Sequence, residues 1–244
     1  MKEQDMFRQL NKYVLATDLD GTIVHDDIPH APLWQELAKE QASLIYITGR
    51  TFSSAQLLIQ QADLPTPDVL ICDVGGAIYD GHTHMLDETW ARHVLEADFS
   101  EVAQIAEQYF TPQPVTTPFR LAYYGDEQAV EAFKQQLSPH ASVDVIHSSN
   151  RDVDIMRRGV DKAAALEYVL ATQLEPSRVI VAGDSENDYS LFISGHEGIA
   201  VANACDTLYA LAHQPHIYIA QQQGAAGVLE GWRALTQKEG MTFK

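Results

Sequence analysis

Three acidic side chains crowd into five positions, Asp184 to Asp188, directly after an apolar run over residues 178–182. Mutual repulsion makes such crowding costly unless a cation lies among the carboxylates. A hard, oxygen-lined site suits Mg²⁺, which takes one or two carboxylates and keeps several waters. The segment therefore predicts a magnesium site. The alternative is an Asp-rich helix N-terminus, which the helix dipole favours.

A second pair of carboxylates, Asp18 and Asp20, follows the first apolar run, residues 13–17. Continuous apolar runs are typical of strands buried on both faces, as in a parallel sheet. Both carboxylates can leave such a strand into one crevice, and Gly21 permits a tight turn there. A plain turn at Asp20, with Asp18 as a strand-end cap, explains the same residues equally well.

Two further segments offer groups that bind anions. Thr48, Gly49 and Arg50 follow the apolar run 43–47 and supply a hydroxyl, close backbone approach and a guanidinium. A helix N-cap at Thr48 is the simpler explanation. Lys162 lies near the start of a predicted helix, where a cation opposes the helix dipole and favours a nearby anion. A solvated surface lysine is its alternative.

The elements that must position these segments alternate between strands and helices at both ends of the chain. This alternation predicts an α/β fold, a doubly wound, Rossmann-like parallel sheet. Such sheets bind ligands beyond the carboxyl ends of their strands, where the segments above lie. The predicted strands are 13–17, 43–47, 69–72, 178–182, 198–201 and 216–220, and the predicted helices are 31–41, 51–62, 162–171 and 188–193.

The middle of the chain breaks this alternation. We expect a hairpin-like piece over residues 77–85, followed by helices and antiparallel strands in a small α+β unit. The prediction is one α/β core built from residues 1–80 and 158–244, with an inserted α+β cap over 81–157. The predicted helices of the cap are 100–110 and 127–137, and its predicted strands are 119–124 and 142–147.

The composition excludes several function classes. Sixteen Lys and Arg against 34 Asp and Glu give a net charge of −18, which disfavours binding to nucleic acid and to anionic membranes. No apolar stretch is long enough to span a membrane, and the N-terminus lacks a signal-peptide core. Two cysteines cannot build a disulfide framework,. We therefore expect a cytoplasmic protein of undetermined oligomeric state.

Together, these motifs resemble the haloacid dehalogenase superfamily of phosphohydrolases. The resemblance rests on their order along the chain: Asp18-x-Asp20-x-Thr22, then Thr48, then Lys162, then Gly183-Asp184-x-x-x-Asp188. The cap resembles that of the Cof-like sugar phosphatase branch. The strings at residues 48–55, 74–79, 148–155 and 183–188 are similar to the sucrose-phosphate phosphatases of cyanobacteria and plants.

The resemblance implies a phosphoric monoester hydrolase that acts on a sugar phosphate, either sucrose 6-phosphate or a related disaccharide or hexose phosphate. Asp18 would be the nucleophile that forms an aspartyl-phosphate, and Asp20 the general acid and base. Mg²⁺ would be held by Asp18, Asp20, Asp184 and Asp188. The phosphate would be held by Thr48, Gly49, Lys162 and Asn187.

The residues expected to contact the sugar of the substrate are Arg50, Arg120, Tyr123, Asn150, Asp152, Asp154 and Arg157. Asp152 and Asp154 alternate with apolar residues at period two, so both carboxylates can face one side. A half-exposed edge strand would show the same pattern. The chain departs from the family at residues 117–120 and 160–163, which leaves the identity of the sugar open.

Two other functions use similar residues. A phosphotransferase or phosphomutase of the same superfamily would share the nucleophile but keep water out after phosphoryl transfer. A non-catalytic phospho-acceptor switch, like a response-regulator receiver, also places acidic residues, a Thr and a Lys around Mg²⁺. A receiver has roughly half this length and no large insert, so the sequence favours an enzyme.

Overall fold

The computed structural model describes residues 6–137, 142–175 and 177–237. In chain order, its strands are β1 (Tyr13–Thr17), β2 (Ser43–Ile47), β3 (Val69–Cys72), β4 (Ala77–Asp80), β5 (Thr111–Pro112), β6 (Leu121–Tyr124), β7 (Val143–Ser148), β8 (Asp152–Arg157), β9 (Arg178–Gly183), β10 (Glu197–Ala200) and β11 (Ile217–Ile219). Its helices are α1 (Ala31–Lys39), α2 (Phe52–Gln61), α3 (Glu88–Leu95), α4 (Ser100–Ala106), α5 (Glu127–Gln136), α6 (Lys162–Ala171), α7 (Tyr189–Ile193), α8 (Asp206–Tyr209) and α9 (Gly224–Thr236). Short 3₁₀ turns cover Asp73–Gly75, Glu186–Asp188 and Ala210–His213.

The larger sheet has its strands in the order β11-β10-β9-β1-β2-β3-β4. Neighbouring strands are parallel, except that β4 runs antiparallel to β3. The predicted doubly wound parallel core is therefore confirmed. Because β1 pairs with β2 on one side and with β9 on the other, the strand order reverses at β1. The crevice at such a switch point is where open α/β sheets bind ligands.

The core forms where the sequence is continuously apolar. Val14, Leu15 and Ala16 of β1 have no solvent exposure, and Leu166 of α6 and Trp232 of α9 belong to the same buried cluster. Burial on both faces explains why these strands lack the alternation of a half-exposed sheet. Within the described residues, no helix is long and apolar enough to cross a membrane.

A second sheet lies in the cap, with the strand order β5-β6-β8-β7 and antiparallel pairing throughout. It packs against its own buried cluster, which includes Phe110, Phe133 and Val153. The strand β8 lies between β6 and β7, so the alternation of Asp152 and Asp154 does not come from an edge strand. These carboxylates lie on the face opposite Val153.

Helix α3 is one of the elements between residues 81 and 157 that were not predicted. Helix α3 begins after Asp87, whose carboxylate accepts hydrogen bonds from the amides of Thr89 and Trp90 at 2.9 and 2.8 Å. Trp90 and Val94 of α3 join the core cluster. The chain beyond residue 80 thus packs on the core before it enters the cap sheet. The division at residues 81–157 stays a prediction.

Candidate active site

Three carboxylates converge at the carboxyl ends of β1 and β9. Asp18 follows β1, Asp184 follows β9, and Asp188 ends the 3₁₀ turn beyond it. Oxygens of the three side chains lie within 4.8 Å of one another. Asp18 is nearly buried and Asp188 fully so. This set of oxygen donors fits a hard divalent cation such as Mg²⁺.

The protein's own groups orient Asp184. Its Oδ1 accepts a hydrogen bond of 2.8 Å from the Thr22 hydroxyl. Gly21 beside it has φ +83°, and a Cβ there would lie 2.3 Å from the Asp184 Oδ2. Only glycine fits in this position, for reasons of both backbone conformation and space. The turn after β1 and the acidic loop after β9 are therefore built against each other.

Asp188 is held in the same way by its own loop. Its Oδ2 accepts hydrogen bonds from the amides of Asp184 and Ser185 at 3.0 and 3.1 Å. A Cβ at Gly183 would lie 2.6 Å from the Asp188 Cβ, so the close packing of this loop requires glycine. The closely spaced acids of the sequence thus form a compact loop that directs the carboxylates of Asp184 and Asp188 towards the site.

Lys162 lies beneath the carboxylates at the first position of α6. Its ammonium donates hydrogen bonds of 2.8 Å to Asp18 and 2.6 Å to Asp188. Burial alone would lower the pKa of Lys162, but the two carboxylates outweigh burial and raise it. The lysine is therefore a buried cation and not a solvated surface residue. Its charge offsets part of the acidic cluster.

Negative charge stays in excess at this site. Burial raises the pKa of Asp18 well above its ordinary value; Lys162 opposes this shift and Asp188 adds to it. Burial and the Asp188 carboxylate raise the pKa of Asp184 to about 7. One ammonium against three carboxylates, two of them buried, is an unfavourable balance, which a bound divalent cation would correct,.

Asp20 lies apart from this cluster and faces Arg50. The guanidinium Nε and one terminal nitrogen of Arg50 donate hydrogen bonds of 2.6 Å to the two carboxylate oxygens of Asp20. Arg50 also donates to the Ser54 hydroxyl at 2.9 Å. Contact with Asp20 raises the pKa of Arg50. The pair is a bidentate ion pair at the wall of the crevice.

Thr48 does not cap a helix. Its hydroxyl accepts a hydrogen bond of 3.2 Å from the amide of Arg50, and the N-cap residue of α2 is Thr51. Thr48 is fully buried. The alternative explanation of Thr48 as an N-cap is therefore wrong, because the turn at residues 48–50 separates the threonine from the helix.

A cavity of about 350 Å³ lies between the core and the cap. Nine residues predicted for the site line it: Asp18, Asp20, Gly49, Arg50, Arg120, Asp152, Asp154, Asp184 and Asn187. Seven residues line it that the sequence did not indicate: Thr51, Ser54, Gln113, Val115, Ser148, Ser149 and Ser185. The cavity thus joins the acidic cluster to the two aspartates of the cap sheet.

The same architecture occurs in known proteins. A sequence model of the sucrose-6F-phosphate phosphohydrolase family matches residues 11–235. The chain belongs to this family. The resemblance to sucrose-phosphate phosphatases of the haloacid dehalogenase superfamily is thereby confirmed.

Relatives of the chain differ in the sugar they are named for. A probable sucrose-phosphatase 3a of Arabidopsis thaliana is 30% identical over 90% of this chain and 58% of its own length. A mannosylfructose-phosphate phosphatase of Agrobacterium fabrum (strain C58 / ATCC 33970) is 28% identical over 90% of this chain and 95% of its own. The chain spans about three fifths of the length of the plant relatives.

The crystal structure of the sucrose-phosphatase from Synechocystis sp. PCC6803, in complex with sucrose and phosphate, has the same fold. It superposes with a TM-score of 0.82 at 30% identity, and the match covers 93% of this chain and 99% of that one. The agreement extends over core and cap, because the matched part includes nearly all of both chains.

Three residues expected at the substrate do not reach the cavity of this family member. Tyr123 pairs directly with Val153, and Arg157 lies four positions after Val153 on β8, so both lie on the same face of the cap sheet as Val153,. Tyr123 packs against Phe110 with ring centroids 5.9 Å apart. Arg157 donates to the carboxylate of Glu96 at 2.8 Å and to the His93 carbonyl.

Asn150 lies at the exposed tip of the hairpin between β7 and β8, with φ +51°. Its neighbour Ser149 is the residue that meets the core, since its amide donates a hydrogen bond of 2.9 Å to the Glu186 carboxylate. No sequence pattern indicates that Ser149, and not Asn150, contacts the core. Thr48, Lys162 and Asp188 lie behind the cavity wall and are not among its lining residues.

Gln113 is a cavity residue that the sequence analysis missed. Its amide donates hydrogen bonds to the Tyr123 carbonyl at 2.8 Å and to the Asp152 carboxylate at 3.1 Å. It lies in the proline-rich stretch after β5, where no periodic pattern marks a functional side chain. Its partner Asp152 is 39 positions away, so only the fold reveals the contact.

Proposed function

We propose that this chain hydrolyses the phosphate ester of a phosphorylated sugar, with a disaccharide phosphate as the favoured class and Mg²⁺ as cofactor. The observation that carries the proposal is the single cavity that joins the carboxylates of Asp18 and Asp184 to those of Asp152 and Asp154 in the cap. One end suits phosphoryl transfer, and the other suits hydroxyl groups. Family membership supports the same class of reaction.

Asp18 is proposed as the nucleophile. One of its carboxylate oxygens attacks phosphorus, an O–P bond forms, and the bond from phosphorus to the sugar oxygen breaks. Water then cleaves the acyl phosphate and regenerates the carboxylate. Lys162 holds Asp18 in place and supplies positive charge beside it. The cofactor, held by Asp18, Asp184, Asp188 and the Asp20 carbonyl, would supply charge neutralisation that lets one anion approach another.

Asp20 is proposed as the proton donor to the departing sugar oxygen and then as the base that accepts a proton from water. For the first role, one oxygen of its carboxyl group must leave Arg50 and reach the leaving oxygen, while the other keeps its hydrogen bond to the guanidinium. Asp20 lines the cavity and is half exposed, and its side chain forms an exposed pair with Arg50. This rotation therefore breaks no buried contact within the described residues.

The backbone at Gly49 and Asn187, which both line the cavity, are proposed to hold the phosphoryl oxygens. Thr48 and Lys162, behind the cavity wall, are proposed to support them through the Arg50 amide and the Asp18 carboxylate that they contact. Asn187 lines the cavity, and its side-chain oxygen accepts a hydrogen bond of 3.1 Å from Ser185. Its amide nitrogen is thus turned away from Ser185. Preorganised donors of this kind stabilise charge as it redistributes in the transition state.

Asp152 and Asp154 are proposed to accept hydrogen bonds from sugar hydroxyls. Both face the cavity, where Gln113 orients Asp152 and Arg120 contacts Asp154. Carboxylates at this end would repel a second anionic group, so the leaving group is expected to be a neutral polyol. The relatives named for sucrose and mannosylfructose phosphates agree with this class.

The test is phosphate release from a panel of esters, with Mg²⁺ and with a chelator. The panel contains sucrose 6-phosphate, mannosylfructose phosphate, hexose phosphates and an aryl phosphate, and Asp18→Asn serves as the blank. Preference for one disaccharide phosphate supports the proposal. Hydrolysis of all esters at similar rates contradicts the assignment of a sugar substrate, but it agrees with the proposed phosphoester hydrolysis at Asp18. Phosphate transfer to an acceptor sugar, or stable phosphorylation without turnover, would favour the phosphomutase and switch alternatives.

A further inference from the structure

Arg120 is a charged side chain of the cap that is buried against the core. It lies directly before β6 and is 6% exposed. Within the cap, its guanidinium pairs with Asp154. Across the boundary, it donates to the Asp73 carboxylate at 3.3 Å and to the Gly49 carbonyl at 2.8 Å. One side chain therefore joins three groups, two of which belong to the core.

These core contacts depend on the closed arrangement of cap and core. Charge-assisted hydrogen bonds to buried partners are among the stronger polar contacts in proteins. Moving the cap away would leave Asp73 without its cation and the Gly49 carbonyl without this donor, whereas Asp154 would keep Arg120. The two core contacts thus favour closure, and the cap contact sets where the guanidinium lies.

The core partner Asp73 belongs to a strained turn. Asp73 and Val74 have φ of +52° and +57°, which is costly for residues with a Cβ and especially for a β-branched one. The turn is bound to the phosphate-side loop, because the amides of Asp73 and Val74 donate to the carbonyls of Arg50 and Thr48 at 2.9 and 3.1 Å.

Residues of the inserted segment that pack with the core cluster also contact this turn. A Cβ at Gly76 would lie 2.8 Å from the Phe119 Cβ, and the indole of Trp90 donates to the Gly75 carbonyl at 2.9 Å. The turn at 73–76 therefore lies between these residues and the loop at 48–50. Arg120 links this arrangement to Asp154, the carboxylate at the sugar end of the cavity.

We propose that Arg120 is a positioning residue that latches the cap onto the core through Asp73 and Gly49, and couples this latch to the sugar end of the cavity through Asp154. The coupling to substrate rests on the proposed function; the latch itself does not. A sugar phosphate needs the closed cap for its hydroxyl contacts, whereas a small aryl phosphate needs fewer of them. Loss of the latch lowers the closed population and weakens the apparent affinity for the sugar ester in proportion.

The latch is tested by hydrogen exchange in the absence of substrate. The variants are Arg120→Gln, Arg120→Lys and Asp73→Asn, and the control is Arg158→Gln. Arg158 is an exposed arginine directly after β8, and its partner, Asp144, lies on β7 of the cap sheet. We expect Arg120→Gln and Asp73→Asn to speed exchange about tenfold or more at amides 73–76 and 119–124. We expect Arg120→Lys to give an intermediate rate and Arg158→Gln the wild-type rate.

Wild-type exchange at these amides in both Arg120→Gln and Asp73→Asn would overturn the latch. Faster exchange throughout the chain would assign these residues to general stability and overturn it as well. If Arg120→Gln does not fold, Asp73→Asn decides alone, because it keeps the pair of Arg120 and Asp154 and removes only the negative charge of the core partner.

The coupling is tested by kinetics on two substrates. We expect Arg120→Gln and Asp73→Asn to lower the ratio of kcat/KM for the sugar phosphate to that for nitrophenyl phosphate by about tenfold, mainly through KM. Equal losses on both substrates would overturn the coupling. If the wild type hydrolyses no ester, the proposed function fails, and hydrogen exchange still decides the latch.

Discussion

Arg50 meets Asp20 with two parallel hydrogen bonds of 2.6 Å, one to each carboxylate oxygen. The side chains are 34% and 49% exposed, so the pair lies at the solvated wall of the cavity. In such a setting an ion pair adds little to stability. Its consequence is orientation, because the fork of the guanidinium fixes the plane of a carboxylate that we propose as the acid and base.

Arg50→Gln and Arg50→Lys are expected to slow the chemical step. Neither side chain can match both oxygens of Asp20 as the guanidinium does. Since protonation matters most for a poor leaving group, the loss should grow along a series of aryl phosphates of rising leaving-group pKa, to about tenfold or more at its end. The measurement is pre-steady-state release of the phenol across the series.

Ser54→Ala is the matched control, because it removes the other side-chain partner of Arg50 and keeps both bonds to Asp20. Its dependence on the leaving group should equal that of the wild type. A loss of equal size for every leaving group in the Arg50 variants would show that Arg50 does not act through Asp20.

The core and its acidic cluster were predictable because their signals are local. Continuous apolar runs mark β1 and β9, and in a parallel sheet the residues after adjacent strands must meet. Asp18 and Asp184 follow from that rule alone. The paired glycines, Gly21 and Gly183, then allow the two loops to approach. No long-range information is needed to place these groups at one edge.

The cap was less predictable. Its contribution to the site depends on which face of a strand each residue occupies and on contacts between residues distant in the sequence. Arg120 and Tyr123 are three positions apart, so one strand cannot turn both towards the cavity. The sequence did not show which of them faces it. Asp73 had no signal at all, since its importance rests on Arg120, which is 47 positions away, and on a left-handed backbone at a non-glycine residue.

Asp18→Asn is expected to abolish turnover and to leave the fold intact. The amide is nearly isosteric, and the buried Lys162 keeps Asp188 as an anionic partner. The measurements are phosphate release, capture of a phosphorylated protein after acid quench, and the melting temperature. The exposed Asp27→Asn is the control and should behave as the wild type. Activity within about tenfold of the wild type would contradict the nucleophile assignment.

The melting temperatures of the wild type and of Asp184→Asn, with and without Mg²⁺, test whether Asp184 holds the cation. In a chelator, Asp184→Asn should melt higher than the wild type, because it removes one of three carboxylates that lie within 4.8 Å of one another,. Added Mg²⁺ should raise the melting temperature of the wild type and of Asp27→Asn, since a ligand that binds only the folded state stabilises it.

Asp184→Asn should respond to Mg²⁺ far less than the wild type does. The measurement is a melting curve of each protein over a series of Mg²⁺ concentrations at constant ionic strength. A variant that gains as much as the wild type would show that Asp184 does not hold the cation. Phosphate release that survives a chelator would contradict the Mg²⁺ dependence itself.

The charge state of Asp73 should appear in the pH dependence of stability. Burial raises the pKa of Asp73 to about 6, although Arg120 and the Thr117 hydroxyl act in the opposite direction, and Asp154 adds to the rise. A carboxyl whose pKa is raised in the folded protein favours folding most when it is protonated. Its contribution is therefore greatest below pH about 4 and is lost as the pH rises to about 6.

The decisive quantity is the melting temperature of the wild type minus that of Asp73→Asn. The variant lacks the Asp73 carboxyl but has all other ionisable groups, so the difference reports the titration of Asp73. We expect the difference to fall by a few degrees between pH about 4 and about 6 and to stay constant above it. The melting temperature of the wild type minus that of the exposed control Asp27→Asn should stay constant over the same pH range. A difference that rises with pH would mean that the pair with Arg120 outweighs burial and that Asp73 is stabilised as a carboxylate.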